Sequence, residues 1–505
     1  MRDRARWWAL AAVSLATLMT YLDNNVTNVA LPTIERSLNL SVSGLEWIVS
    51  SYILVLGGLL LVGGRVADIY GRRRVFLIGL VIFTLSSLAA GLAGTGGELI
   101  AARAVQGLGA ALSMPATLAI LAAAFTNPRE RTAAIGIWGG VGALGLALGP
   151  AVGGLISQHL HWGWIFLLNV PLGAITLALS IPFIAESYGV QEATGTKPAT
   201  TAARLDIPGL ITSAVALFTL TYALIEGGDK GWTSALIIGA FALAAVTFAA
   251  FLVIESRSAY PMIPLRIFRS ASLSGGLGTM MIWSFGILGI YFFTSLYLQS
   301  NLGFSPTKAG LAFVPMALAI AVAAILSPRV VPVLGVHRTV ALAMAVMTAG
   351  LVLFVRIGAG ATFADLLPGF IIFGVGAGLM NVPVTNAVID GAPAAQAGIA
   401  SALLNASREI AGLLGVTVIG AVVRTSESAS LRSGTQPNQA FIDGYHSGLW
   451  LTIGLLAAGI VLAYVTLRQR KQSVTEQLAA GLALAESEEA FPVDIRSKGK
   501  STAAS

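Results

Sequence analysis

The stretch GVGALGLALGPAVGG, residues 140–154, decides how the chain is read. It contains Gly140, Gly142 and Gly145 in the GxGxxG spacing that, between a strand and a helix, cradles a dinucleotide pyrophosphate. That reading needs a strand before the glycines and an acidic residue about twenty positions after them. Apolar sequence flanks the stretch on both sides instead, and no acid follows until Glu186. A second spacing is more informative. Gly145, Gly149 and Gly153 recur every four residues, which puts small residues on one helix face where another backbone can come close. Pro150 removes one backbone donor and bends a helix beside that face. The stretch reads as a close-packed, bent membrane helix.

The rest of the composition agrees. Of 505 residues, 56% are hydrophobic and only 10% charged, too few charges to cover a soluble surface of this size. The net charge of +7 comes from basic residues scattered among short loops, not from a patch, so nucleic acid is not an expected partner. There is no cysteine, which excludes disulfides and thiolate chemistry, and the histidines His159, His161, His337 and His446 lack HExxH spacing, so no metal site is expected. No GxxxxGK[ST] occurs, which disfavours an ATP-driven pump.

Apolar runs bounded by charges, turns or polar clusters predict helices near 7–32, 45–67, 75–95, 98–124, 132–158 and 163–184, then 207–225 and 233–254, then 271–300, 307–331, 337–356, 363–389, 398–423 and 447–467. Each is long enough to cross about 30 Å of hydrocarbon. The N-terminus has the basic-then-apolar order of a signal peptide but no small-residue cleavage site, and is expected to stay as the first helix. Fourteen crossings put both termini on one face. With that face cytoplasmic, the inner segments carry 22 Lys and Arg and the outer ones 6, Arg424 among the latter. Arg103 and Arg408 are left inside helices. The tail, 468–505, alternates charge with Ala and Leu and is expected to be a cytoplasmic end without chemistry.

The loop GRVADIYGRRRVFLIG, 64–79, is basic as an inner loop should be, but topology does not explain Asp68. An acid at a helix end, beside Gly64, Gly71 and Arg72, can pair with the arginine in a contact that breaks and reforms as packing changes. That is a conformational latch. The loop resembles the signature of the major facilitator superfamily, a Gly-x-x-x-Asp followed by Gly and a basic cluster. LDNNVTNVALPTI (22–34) is similar to the first-helix motif of the drug:proton antiporters of that family, and LIAARAVQGLGAALSMPA (99–116) to their fourth-helix Arg-x-x-Gln-Gly pattern. GVGALGLALGPAVGGLI (140–156), followed by HWGWIFLLNVPLG (161–173), resembles the antiporter motif of helix 5 and the segment opening helix 6. Together with the span count, these motifs resemble the fourteen-helix drug:proton antiporter branch. Two departures stand out: Asn24 and Asn25 occupy positions where the family usually has Thr or another small residue, and the second-half loop SPRVVPVLGVHRTV (327–340) keeps Gly335 and Arg338 but lacks the acid.

Ionisable residues inside a bilayer are costly and mark function. Asp23, two-thirds along helix 1, is expected to face a wet central cavity, exchange a proton and attract a cation. Arg103 stands three residues before Gln106 on nearly the same face. The resemblance implies proton coupling for that arginine; an interhelical hydrogen-bond anchor is the structural alternative. Arg408 and Glu409 are adjacent and point about 100° apart, so each is expected to find its own partner as a buried charge anchor or gate. Glu226, Asp229 and Asp390 are expected to be loop residues. Asn24, Asn25, Gln106, Trp283, Tyr291 and Asn381 are the candidate lining of a substrate cavity; Trp283 and Tyr291 sit just over two helical turns apart and offer aromatic faces to flat substrates.

The expected fold is an all-α polytopic membrane protein of the major facilitator type. A six-helix bundle at 1–185 and a polar cytoplasmic loop at 186–206 are followed by two extra helices and a linker at 207–270, a second six-helix bundle at 271–467 and the tail. The implied function is proton-coupled efflux of lipophilic drugs or antibiotics, cationic ones included, by alternating access, without a cofactor, by a monomer in a bacterial cell membrane. A dedicated exporter of one metabolite or antibiotic is the close rival, favoured by Asn24, Asn25, Asn381 and Asn386. A membrane oxidoreductase is the remote one.

Overall fold

Polar residues cap the helices where the chain leaves its apolar runs. Thr95 and Glu98 form a reciprocal capping box, with Gly94 and Thr95 amides donating to the Glu98 carboxylate at 2.8 and 3.2 Å. Ser41, Asn127, Asp206, Ser234, Ser270 and Ser305 accept from amides of the first turns that follow them. The computed structural model describes residues 2–188, 206–258, 261–358, 360–393 and 396–468; most of the polar loop and almost all of the tail lie outside them.

Among the described residues fourteen long helices follow in order. The first six are α1 (Arg2–Leu38), α2 (Val42–Tyr70), α3 (Arg72–Gly91), α4 (Gly96–Ala124), α5 (Pro128–His159) and α6 (Trp164–Phe183). Then come α7 (Ile207–Lys230) and α8 (Ala235–Arg257). The last six are α9 (Ala271–Asn301), α10 (Pro306–Leu334), α11 (Val336–Val355), α12 (Phe363–Asp390), α13 (Ala397–Arg432) and α14 (Pro437–Thr466). Of these, 13 are apolar enough to cross a membrane among the described residues; α1 is as long, with Asp23, Asn24, Asn25 and Asn28 along it. Several ends differ from the sequence expectation. Helix α13 runs on to Arg432, so Arg424 belongs to a helix and not to an outer loop, and α7 runs to Lys230, which brings Glu226 and Asp229 into it.

The two sets of six pair alike. Helix α1 packs on α5 as α9 does on α13, α2 on α4 as α10 on α12, and α3 on α4 as α11 on α12. The chain turns from α2 to α3 at Gly71, φ +108°, and from α10 to α11 at Gly335, φ +79°, conformations that a side chain would strain. Helix α7 packs against both α2 and α13, and α8 packs on α7. Apolar side chains such as Ile78, Leu85, Val246, Phe248, Ile325 and Val461 stand exposed around the bundle, a surface suited to lipid.

Close backbone approach does much of the joining, as expected where lipid competes with every apolar side chain. A Cβ added at Gly145 would lie 2.8 Å from the Leu18 carbonyl, at Gly149 2.5 Å from Asn25 Cβ, and at Gly153 2.6 Å from the Val26 carbonyl, so this face of α5 lies directly on α1. The adjoining face of the same helix end, about 100° around, meets α10: Gly154 abuts Pro306 and Gly310 abuts Pro150. A Cβ at Gly140, by contrast, would meet nothing within 4 Å.

We call the end carrying the α1–α2 turn the far end, and the end with the α2–α3 turn the near end. The halves are joined from mid-depth to the far end. Ser295 Oγ donates to the Asn28 carbonyl at 3.0 Å, Gln299 Nε2 to the Val29 carbonyl at 2.8 Å, and Thr307 Oγ1 to the Gly154 carbonyl at 3.2 Å. The far end is therefore closed.

Candidate functional site

Asp23, Arg103 and Gln106 come together inside the first bundle. Arg103 Nη1 donates to Asp23 Oδ2 at 2.5 Å and to Gln106 Oε1 at 2.7 Å, and its Nε to the Ile48 carbonyl at 3.2 Å. Gln106 Nε2 and Asn169 Nδ2 donate to Asp23 Oδ1 at 2.8 and 2.7 Å, and Gln106 also reaches Ser87 Oγ at 2.8 Å. The Arg103 guanidinium lies 4.2 Å from the Tyr52 ring centroid and 5.6 Å from that of Phe166. Five helices thus meet at one ion pair.

The pair is sealed: both side chains are 0% exposed. This departs from an Asp23 facing a wet cavity. The cause is the α4 register, which sets Arg103 and Gln106 one turn apart so that both reach the carboxylate from the same side. Breaking such a buried pair leaves an uncompensated charge, at a cost of about 3–5 kcal/mol. Among the described residues, Arg103 Nη2, the Tyr52 hydroxyl and Asn169 Oδ1, all around this pair, have no hydrogen-bond partner.

The candidate cavity residues do not converge as a group. Gln106 is buried in the ion-pair cluster. Asn25 is 2% exposed, donates to the Tyr21 carbonyl at 2.8 Å and forms the floor under Gly149. Trp283 donates from Nε1 to the Ala377 carbonyl at 3.0 Å, tying α9 to α12. Tyr291 stacks on Phe313 at a centroid distance of 4.2 Å. Only Asn24 and Asn381 remain half-buried.

Arg408 is half-buried as well. Its Nη2 donates to the Tyr21 hydroxyl across the halves at 2.8 Å and lies 3.5 Å from Glu409 Oε1. The neighbours expected to point apart therefore do pair, because a long arginine swings back across the 100° between them. Glu409 also packs its Cβ against Gly57 of α2. With its side chain 22% exposed and bonded to α1, Arg408 lies where the two halves meet.

At the near end Asp68 Oδ1 accepts from Arg72 Nε at 3.0 Å. Gly64 packs on Pro115 of α4. The loop is also held by Glu186, whose Oε1 accepts from the Arg73 amide at 2.9 Å and whose Oε2 is 3.6 Å from Arg74 Nε. A Cβ on Gly71 would collide with that carboxylate at 2.7 Å.

Sequence reasoning missed Asn169, Ser87, Tyr52, Glu186 and Glu46. Asn169 lay in a quoted motif, and an amide within an apolar run was its signal. Glu46, fully buried on α2, pairs with Arg424 of α13.

The family model described as Major Facilitator Superfamily matches residues 13–416. The chain belongs to that superfamily. Superfamily relatives extend along almost all of it: it is 32% identical over 488 residues to the puromycin resistance protein of Streptomyces alboniger, covering 95% of each chain. It is 35% identical over 431 residues to the multidrug resistance protein Stp of Mycobacterium tuberculosis, covering 85% of this chain and 78% of the other. The crystal structure of the POT family transporter PepTSo shares the fold at a TM-score of 0.66 with 14% identity, over 94% of this chain and 98% of that one. The chain is a multi-pass membrane transporter and not an enzyme.

Proposed function

We propose that the protein is a proton-coupled antiporter that exports lipophilic drugs or antibiotics. The observation that carries it is the sealed Asp23–Arg103 pair in a chain similar to resistance proteins. A proton arriving at Asp23 Oδ2 removes the negative charge that holds Arg103. Gln106 then remains as the acceptor for the guanidinium, and the α1–α4 contact loosens. Loss of that proton on the other side remakes the pair. Two states of one buried contact thus differ by a proton, which couples proton movement to the packing of α1 against its neighbours.

In this reading the near end, with both termini, is cytoplasmic, supported by the excess of Lys and Arg in its loops. The closed far end is external. Drugs enter between the halves near Asn24, Asn381 and Arg408. The Asp68–Arg72 contact and Glu186 form the inner latch. Residues 1–185 and 271–467 move as rocking bundles, and the protein works as a monomer that needs no cofactor beyond the proton gradient. Bacterial relatives support a bacterial cell membrane.

A second reading, export of one dedicated antibiotic, is favoured by the polar character of Asn24, Asn381 and Arg408. Growth inhibition of a pump-deficient host by a panel of dyes, quaternary amines and antibiotics, with and without a protonophore, tests both. Broad, protonophore-sensitive protection supports the first; protection against one compound supports the second. Protection that a protonophore leaves intact refutes proton coupling.

A further inference from the structure

Helix α7 has no counterpart in either bundle, yet it takes part in the joint that closes the far end. Arg424 of α13 is 9% exposed, and its Nη1 pairs with Glu46 Oε1 of α2, across the two halves. Its Nη2 donates to the Leu224 and Ile225 carbonyls of α7 at 3.2 and 2.9 Å. Each of these carbonyls has a second lone pair beyond its helical bond, and both lie toward the partly negative C-terminal end of α7. They suit a guanidinium and repel a carboxylate.

The approach is made close by small residues. The Glu46 carboxylate lies against Gly420 of α13, where an added Cβ would collide with it, and a Cβ at Gly228 of α7 would lie 3.2 Å from Arg424 Nε. Trp47, next to Glu46, ties α7 in place by donating from Nε1 to Glu226 at 2.9 Å. We propose that α7 is the third member of the far-end lock: its carbonyls hold Arg424 against Glu46, so α2 and α13 part only when Arg424 leaves both partners. The extra helices are then part of the gate and not a spacer between bundles.

A two-member ion pair can be rebuilt with its charges exchanged. A lock that includes carbonyl acceptors cannot, because a carboxylate at position 424 would face α7 oxygens. The chain has no cysteine, so Ser295→Cys gives a single reporter at a site that is fully buried and bonded across the halves to Asn28. The full chain carrying it is purified in detergent and its rate of maleimide labelling measured. Glu46→Gln is expected to raise that rate about tenfold, the scale of one lost charged hydrogen bond. Glu46→Arg with Arg424→Glu is expected to stay as fast, and Gly228→Val to label faster with every charge intact. Background labelling in the exchanged pair or in Gly228→Val overturns the role of α7. Background labelling in Glu46→Gln overturns the lock. If the exchanged pair fails to elute as a folded species, Gly228→Val decides. Labelling reads conformation and not export, so its outcome is independent of the substrate and of proton coupling.

Discussion

Asp23 Oδ2 and Arg103 Nη1 stand 2.5 Å apart, 80 residues apart in sequence, with both side chains shut off from solvent. Substituting Asp23→Asn keeps the shape and leaves Arg103 without a counter-charge. A stability loss of about 3–5 kcal/mol is expected, read as a lower unfolding temperature. Drug-stimulated proton flux in vesicles should vanish while the protein remains in the membrane. Flux equal to the parent's would remove Asp23 from the coupling scheme. Asp23→Asn combined with Arg103→Gln should recover stability without recovering flux.

Gly149→Leu should impair export through overpacking of about 1–3 kcal/mol, since even a Cβ there meets Asn25 Cβ at 2.5 Å. Gly140→Leu, in the same quoted stretch but in open space, should export as the parent does. Equal activity of the two leucine variants would show that the α1–α5 contact tolerates separation, and the close-packing argument would fall.

The near-end loop should behave as one unit. Asp68→Asn and Glu186→Gln each remove a carboxylate that holds the arginine cluster, one through Arg72 and one through the Arg73 amide and Arg74. Each is expected to lower the maximal transport rate more than drug affinity, and the double variant to lose less than the product of the two. Concentration-dependent transport assays check this; fully multiplicative losses would make them independent.

Arg408→Gln should change what is exported. The part-exposed guanidinium lies where the two halves meet, and a guanidinium favours oxygen acceptors and anions over cations. Inhibitory concentrations across a panel should fall further for anionic and carbonyl-rich compounds than for quaternary amines. A uniform fall across the panel would reduce Arg408 to a packing contact with Tyr21.

Much of the architecture was legible before folding. Fourteen apolar runs, the basic near-end loops and the glycine face of α5 follow from residue type and from spacings of three and four, which are local properties of a helix. Asp23, Arg103 and Gln106 stand out for the same reason, as polar side chains inside apolar runs, but the sequence put Asp23 and Gln106 on an open cavity and not in one sealed cluster. Trp283 and Tyr291 show the limit. Two helical turns put them near one face of α9, but not against a cavity, since Ala377 and Phe313 arrive from other helices.

The sequence alone determined which runs form long apolar helices, which residues are too polar to face lipid and which helix faces are small enough for backbone contact. The tertiary structure alone decided which polar groups meet. Glu46 and Arg424 are 378 residues apart, and their joint with the α7 carbonyls depends on the rotation of three helices about their axes. Helix rotation is fixed by packing across the whole bundle, so no local pattern carries it. The same holds for Asn169 on Asp23 and Glu186 on the arginine loop, where a polar atom's partner is chosen by which faces the bundle brings together.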